Sequence, residues 1–81
     1  LIQGQGEIME IIATRDLKIT NKFLKDLKLP EGMLITAVER DGAVIIPNGS
    51  TKILDGDKIT VFYLLSDLAE VDSLLATKKF V

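Results

Sequence analysis

Hydrophobic positions fall in short clusters along the chain, separated by glycine, proline and acidic turns. In residues 7–14 (EIMEIIAT), an extended chain puts Ile8 and Ile12 on one side and Met9, Ile11 and Ala13 on the other. Side chains alternate with a period of two in a strand, so apolar groups on both sides predict a strand covered on both faces. Thr20 is placed to cap a helix running to about Lys28, with Phe23, Leu24 and Leu27 on its apolar face. Ile19, just ahead of the cap, is spaced to pack on Leu24 as a hydrophobic staple. Lys22, Lys25, Asp26 and Lys28 make the wet face. Pro30 ends the helix, because it has no N–H to give and disfavours helix at Leu29 before it.

Residues 33–40 (MLITAVER) predict a second strand. Asp41-Gly42 predicts a type I′ turn, whose twist suits a hairpin, and residues 43–46 return as a third strand. Pro47-Asn48-Gly49 breaks it, and residues 50–54 (STKIL) have the pattern of a further short strand. After the Asp55-Gly56-Asp57 turn, residues 58–65 (KITVFYLL) are rich in β-branched and aromatic residues, with apolar groups on both faces, which predicts a central strand. Asp67 or Ser66 is set to cap a last helix, with Glu70 as capping-box partner of Asp67 and Leu68, Val71, Leu74 and Leu75 as its apolar stripe. Lys78 and Lys79 suit the negative end of its dipole. The order β-α-β-β-(β)-β-α predicts an α+β class fold, a small sandwich of mainly antiparallel sheet with helices on one side. Residues 1–6 (LIQGQG) read as the end of a linker and residues 7–81 as one domain.

Composition sharpens this reading. The chain has 81 residues, 47% apolar and 27% charged, with a mean hydropathy of +0.29. A domain of this size buries only roughly 60% of the surface its unfolded chain exposes. The apolar surplus therefore predicts a subunit contact, and a closed two-fold homodimer is the commonest way to make one. With neither Cys nor His, the chain has no thiolate or imidazole for nucleophilic, acid–base or zinc chemistry, so no enzymatic activity is expected. A net charge of −2, with the cations dispersed, argues against nucleic acid. No apolar run approaches the roughly 20 residues of a membrane span, so no direct insertion is expected. The chain begins at Leu1 and not at Met, which fits a segment of a longer protein.

Candidate sites are sparse. Gly4-Gln5-Gly6 begins like a dinucleotide fingerprint, but position 9 is Met and a strand follows where a helix is needed. Asp55, Asp57, Asp67 and Glu70 lack the alternating oxygen ligands of a calcium loop and read as turn formers and helix caps. Lys22, Lys25 and Lys28 read as a solvated helix face. Arg15, in the connection after the first strand, is placed to hold an anion such as a phosphate, with Asp16 and Asn21 as neighbours. Ile11, Ile12, Leu74 and Leu75 are the expected contacts of the dimer.

Several spaced elements agree with one family. Leu29-Pro30, Gly32, Arg40, Asp41-Gly42, the segment Ile45-Ile46-Pro47-Asn48-Gly49, Gly56-Asp57 and a terminal Phe80 together resemble the TrkA-type C-terminal domain, the C-lobe of regulators of potassium conductance. The resemblance implies a cytoplasmic regulatory module without cofactor, paired as a homodimer, following a Rossmann-like N-terminal lobe and passing conformational change to a membrane potassium channel or transporter subunit. Similar domains occur as inserts in anion and amino-acid transporters, and some bacterial members bind cyclic di-AMP across the dimer interface. The family's pattern for that ligand has two adjacent aliphatics, then Asp three, Arg five and Asn eleven positions beyond the second. Ile11 and Ile12 fit, but the polar positions hold Arg15, Leu17 and Phe23, with Asp16 and Asn21 out of step.

Overall fold

A computed structural model describes residues 5–79. Four strands, β1 (Gly6–Ile12), β2 (Met33–Arg40), β3 (Ala43–Ile45) and β4 (Lys58–Leu64), form one antiparallel sheet in the order β1-β4-β2-β3. A short helix, α1 (Leu68–Leu74), follows β4 through a 3₁₀ turn. The α+β class, the antiparallel sheet and the central position of the last strand are as the pattern predicted. The hairpin turn is also present, with φ of 52° at Asp41 and 79° at Gly42.

The core lies on one side of the sheet. Ile59, Val61 and Tyr63 of β4 and Met33, Ile35 and Val38 of β2 point into it and meet Ala13, Ile19, Ile53 and Val71. The change from odd to even numbering in β2 comes from a bulge between Ile35 and Ala37, where Thr36 turns its hydroxyl to the Thr60 carbonyl. The extra residue keeps both Ile35 and Val38 facing the core.

The helix expected from Thr20 to Lys28 is absent. In its place the chain runs irregularly with one 3₁₀ turn, Leu24–Asp26. Thr20 is buried and gives its hydroxyl to the Thr14 carbonyl instead of capping a helix. Asn21 takes φ of 68°, a left-handed conformation that breaks a helix. Backbone N–H groups of Asn21, Leu24 and Lys25 then donate sideways to the carbonyls of Ile53, Thr51 and Gly49. Lateral pairing with residues 49–53 outweighs a helix propensity worth only tenths of a kcal/mol per residue. The lysine face therefore does not form: Lys25 Nζ instead lies 5.6 Å from the centre of the Phe23 ring, and Lys52 Nζ lies 5.5 Å from it. The segment 50–54 contributes an isolated bridge, Phe23 to Lys52, and no strand.

Asp67 does not cap α1. Its carboxylate accepts the Gly32 N–H at 2.8 Å, while the Gly32 carbonyl accepts the Leu64 N–H at 2.9 Å. A Cβ at position 32 would run into the Asp67 carboxylate and the Leu64 side chain, which is why glycine follows the Leu-Pro turn. The far end of α1 is clipped to the loop after β1: Leu17 bridges Thr77, and Lys78 N–H donates to the Asp16 carbonyl. Phe80 and Gly4, singled out in the sequence, lie outside the described residues.

Candidate functional site

The second face of the sheet has no layer over it among the described residues. Ile8 is 56%, Ile12 54%, Leu34 62% and Val44 66% exposed there. The covered strand expected at residues 7–14 is therefore covered on one face only: Ala13 is buried and Met9 and Ile11 pack on the core, while Ile8 and Ile12 face outward. Register aligns the open face. Ile8 lies opposite Phe62 of β4, and Phe62 lies opposite Leu34 of β2, giving an apolar row across three strands. The Phe62 ring reaches over Gly6, where a Cβ would come within 2.7 Å of it. A charged row runs parallel to the apolar one: Lys58 Nζ sits 3.6 Å from Glu10 and 3.8 Å from Glu39.

The edges of the sheet differ. β3 is only three residues long and is followed by Pro47, so it offers little to another strand. β1 has seven residues and no proline or lysine. Gln5 and Ala13, both odd, exchange backbone hydrogen bonds with residues 65, 57 and 56 on the β4 side. By alternation, the N–H and C=O groups of Gly6, Ile8, Glu10 and Ile12 point away from β4.

The inner end of β1 is pinned by a buried ion pair. Asp57 is 1% exposed. Its oxygens accept Arg40 Nε at 2.8 Å and Nη2 at 2.7 Å, and the Leu54 N–H at 2.8 Å, while Arg40 Nη2 also reaches the Lys52 carbonyl. The Asp57 carbonyl accepts the Ala13 N–H at the end of β1. The guanidinium holds the Asp57 carboxyl below its ordinary range and is itself raised by the carboxylate. In the sequence Arg40 ends a strand and Asp57 closes a turn, and nothing local to either position joins them. At the other end of β1, the Tyr63 hydroxyl donates to Glu7 Oε1 at 3.1 Å; burial, then this bond, raises the phenol above its ordinary value.

Arg15, Asp16 and Asn21 all lie exposed in the loop between Ala13 and Lys22. Thr20 closes that loop on Thr14, with Arg15 and Asp16 at its outer turn. Among the described residues these three side chains make no hydrogen bond to one another. The four expected dimer contacts divide between two layers. Ile11, Leu74 and Leu75 pack against the core, and Ile12 stands on the open face. A groove of about 300 Å³ beside α1, lined by Lys18, Lys28, Pro30, Glu70, Ser73 and Leu74, carries charges of both signs.

Comparison with known proteins places these features in context. The family model described as TrkA-C domain matches residues 8–76. The chain is 39% identical over 74 residues to the Trk system potassium uptake protein TrkA homolog 2 of Methanosarcina mazei, covering 90% of this chain and 16% of that protein. It is 35% identical over 74 residues to Trk system potassium uptake protein TrkA of Azorhizobium caulinodans, covering 91% and 16%. Thus the chain spans about a sixth of the length of these relatives. A solved RCK domain with cda shares the fold, with a TM-score of 0.68 at 22% identity, covering 85% of this chain and 97% of that one.

Proposed function

Because the chain belongs to the TrkA-C domain family, we propose that it is a cytoplasmic regulatory and dimerisation domain of a potassium-uptake system. It is a regulatory and not a catalytic module. Its work is to couple the state of an N-terminal Rossmann-like lobe of the parent chain to a membrane potassium transporter or channel subunit. The family match over residues 8–76 carries this reading, together with relatives named as Trk potassium uptake proteins. An open apolar sheet face and a free strand edge support the dimer. Among the described residues no helix is long and apolar enough to cross a membrane. Coupling of this kind requires contacts that differ between two states of the assembly. The test is rubidium-tracer uptake in cells carrying the full parent chain or the parent without this domain. Altered uptake at equal abundance of the parent is the expected result, and unchanged uptake overturns the proposal.

A second reading, a sensor of a small anionic ligand, is supported by the exposed Arg15 guanidinium on the loop that leaves β1. Titration calorimetry with cyclic di-AMP separates the two. Heat that disappears in Arg15→Ala supports the sensor, and no heat at millimolar ligand removes it.

A further inference from the structure

We infer that the groove beside α1 is a binding site for a free acidic amino acid, a ligand with one ammonium and two carboxylates. Arg15, Asp16 and Asn21 do not line this groove, so the site is separate from the anion reading of Arg15. It also stands independently of the potassium-uptake reading.

Three segments of the chain meet at the groove. Lys18 comes from the loop after β1, Lys28 and Pro30 from the approach to β2, and Glu70, Ser73 and Leu74 from α1. Positions 70, 73 and 74 share one face of a helix, because residues three and four apart are neighbours there. The volume is about 300 Å³. Ligand sites run from roughly 300 to 1,000 Å³, so this one stands at the small end. A single amino acid suits that space, and a dinucleotide does not.

Part of the wall is held in place. Leu74 packs on the core, and the ring of Pro30 fixes its own backbone. Lys18 is tied twice to the end of α1: its N–H donates to the Ala76 carbonyl at 3.0 Å, and its Nζ donates to the Ser73 carbonyl at 3.0 Å. An ammonium has three donors, so Lys18 is anchored with two still to give.

Charge then selects the ligand. Among the described residues, Lys28 and Glu70 form no ion pair with each other or with any other side chain. The groove therefore offers two ammonium groups and one carboxylate, each with bonding capacity to spare. Its complement is a molecule with two carboxylates and one ammonium. A neutral amino acid leaves one lysine unmatched, and a plain dicarboxylate brings nothing for Glu70. The methylene groups of the ligand rest on Pro30 and Leu74. Once bound, the ligand ties α1 to the loop after β1 and to the approach to β2.

Titration of the 81-residue chain with L-glutamate, glutarate and 4-aminobutyrate at matched ionic strength, followed by amide NMR shifts, tests this. L-glutamate is expected to give saturable shifts at Lys18, Ser73 and Leu74. Glutarate lacks the ammonium and 4-aminobutyrate lacks the second carboxylate. Each is expected to bind roughly two- to fivefold more weakly, the range for one exposed ion pair. Glu70→Gln is expected to weaken L-glutamate by a similar factor and to leave glutarate unweakened, whereas Lys28→Met weakens both. Both positions are exposed, so the fold is retained. The proposal is overturned by an absence of saturable shifts at tens of millimolar L-glutamate, by shifts centred on Arg15 and Asn21, or by glutarate binding as tightly as L-glutamate.

Discussion

The Arg40 guanidinium grips the Asp57 carboxylate with a two-pronged contact, Nε to Oδ1 at 2.8 Å and Nη2 to Oδ2 at 2.7 Å. The carboxylate is nearly sealed from water, whereas the arginine side chain keeps 29% of its exposure. Removing the arginine leaves a buried charge with the Leu54 N–H as its remaining donor. Arg40→Ala is therefore expected to destabilise the domain by roughly 3 kcal/mol in urea unfolding, since breaking a buried pair on one side costs about that much. Arg40→Lys should recover only part of the loss, because an ammonium cannot present the planar fork.

The same pair sets an acid limit. Asp57 titrates below its ordinary 3.8 in the folded state because Arg40 bonds the ionised form. The stabilisation is fully present above that ordinary value. It is lost as pH falls below 3.8 and through the lower folded value. Unfolding free energy followed from pH 6 downward should drop more steeply in the parent than in Asp57→Asn, whose residue 57 does not titrate. Parallel slopes would remove Asp57 from the acid response.

Tyr63 gives the alkaline counterpart. Its raised phenol, buried and bonded to Glu7, favours the neutral form in the folded state. The contribution is complete below the ordinary value of 10.0 and declines as pH rises through the folded value. Ultraviolet titration should show phenolate appearing above pH 10, and Glu7→Gln should bring it to lower pH by removing a carboxylate that opposes ionisation.

Much of this architecture is legible residue by residue, and the failures have physical causes. The alternation in Met33–Arg40 and the Asp41-Gly42 turn define β2 and its hairpin because period and turn chemistry are local properties. The segment around Thr20 is different. Its apolar spacing suits a helix, yet the hydrogen bonds that decide its shape come from residues 49–53, roughly thirty positions away. The Arg40–Asp57 pair is hidden for a similar reason, since a turn aspartate looks the same in sequence whether or not an arginine reaches it. For Ile8 and Ile12 the two-sided pattern is plain, but a single chain's sequence does not say whether the second cover belongs to the same molecule. The loop residues Arg15, Asp16 and Asn21 are exposed as their types suggest, without a shared geometry that sequence could have specified.

The close approach of Gly32 to Asp67 and Leu64 is testable by substitution. Gly32→Ala would place a Cβ against the Asp67 carboxylate and Leu64, displacing the hydrogen bond to the Gly32 N–H. A loss of about 1–3 kcal/mol is expected, in the range for overpacking a close contact. Asp67→Ala should cost less, and the double variant should fall short of the sum because both changes remove one shared contact. Thermal unfolding of the three variants measures this coupling, and simple additivity would show that the contact is not shared.

Gly42 tests the hairpin by itself. With φ of 79° and open space where a Cβ would go, Gly42→Ala meets no clash and suffers only backbone strain. The expected loss is about 1–2 kcal/mol. A larger loss in denaturant melts would point to a contact beyond the turn.

The strand order β1-β4-β2-β3 also dictates a sequence of events in time. β2 and β3 meet across a two-residue turn, whereas β1 must find β4 some fifty residues along the chain. Closing so long a loop is slow, so the hairpin forms early and β1 docks late. β1 lies at the edge of the sheet and pairs with β4 alone, so its detachment leaves β4 with a vacant side that another molecule's β1 fits equally well. Concentrated refolding of this chain thus favours exchange of first strands between molecules, an intertwined product with native strand pairing and foreign connectivity.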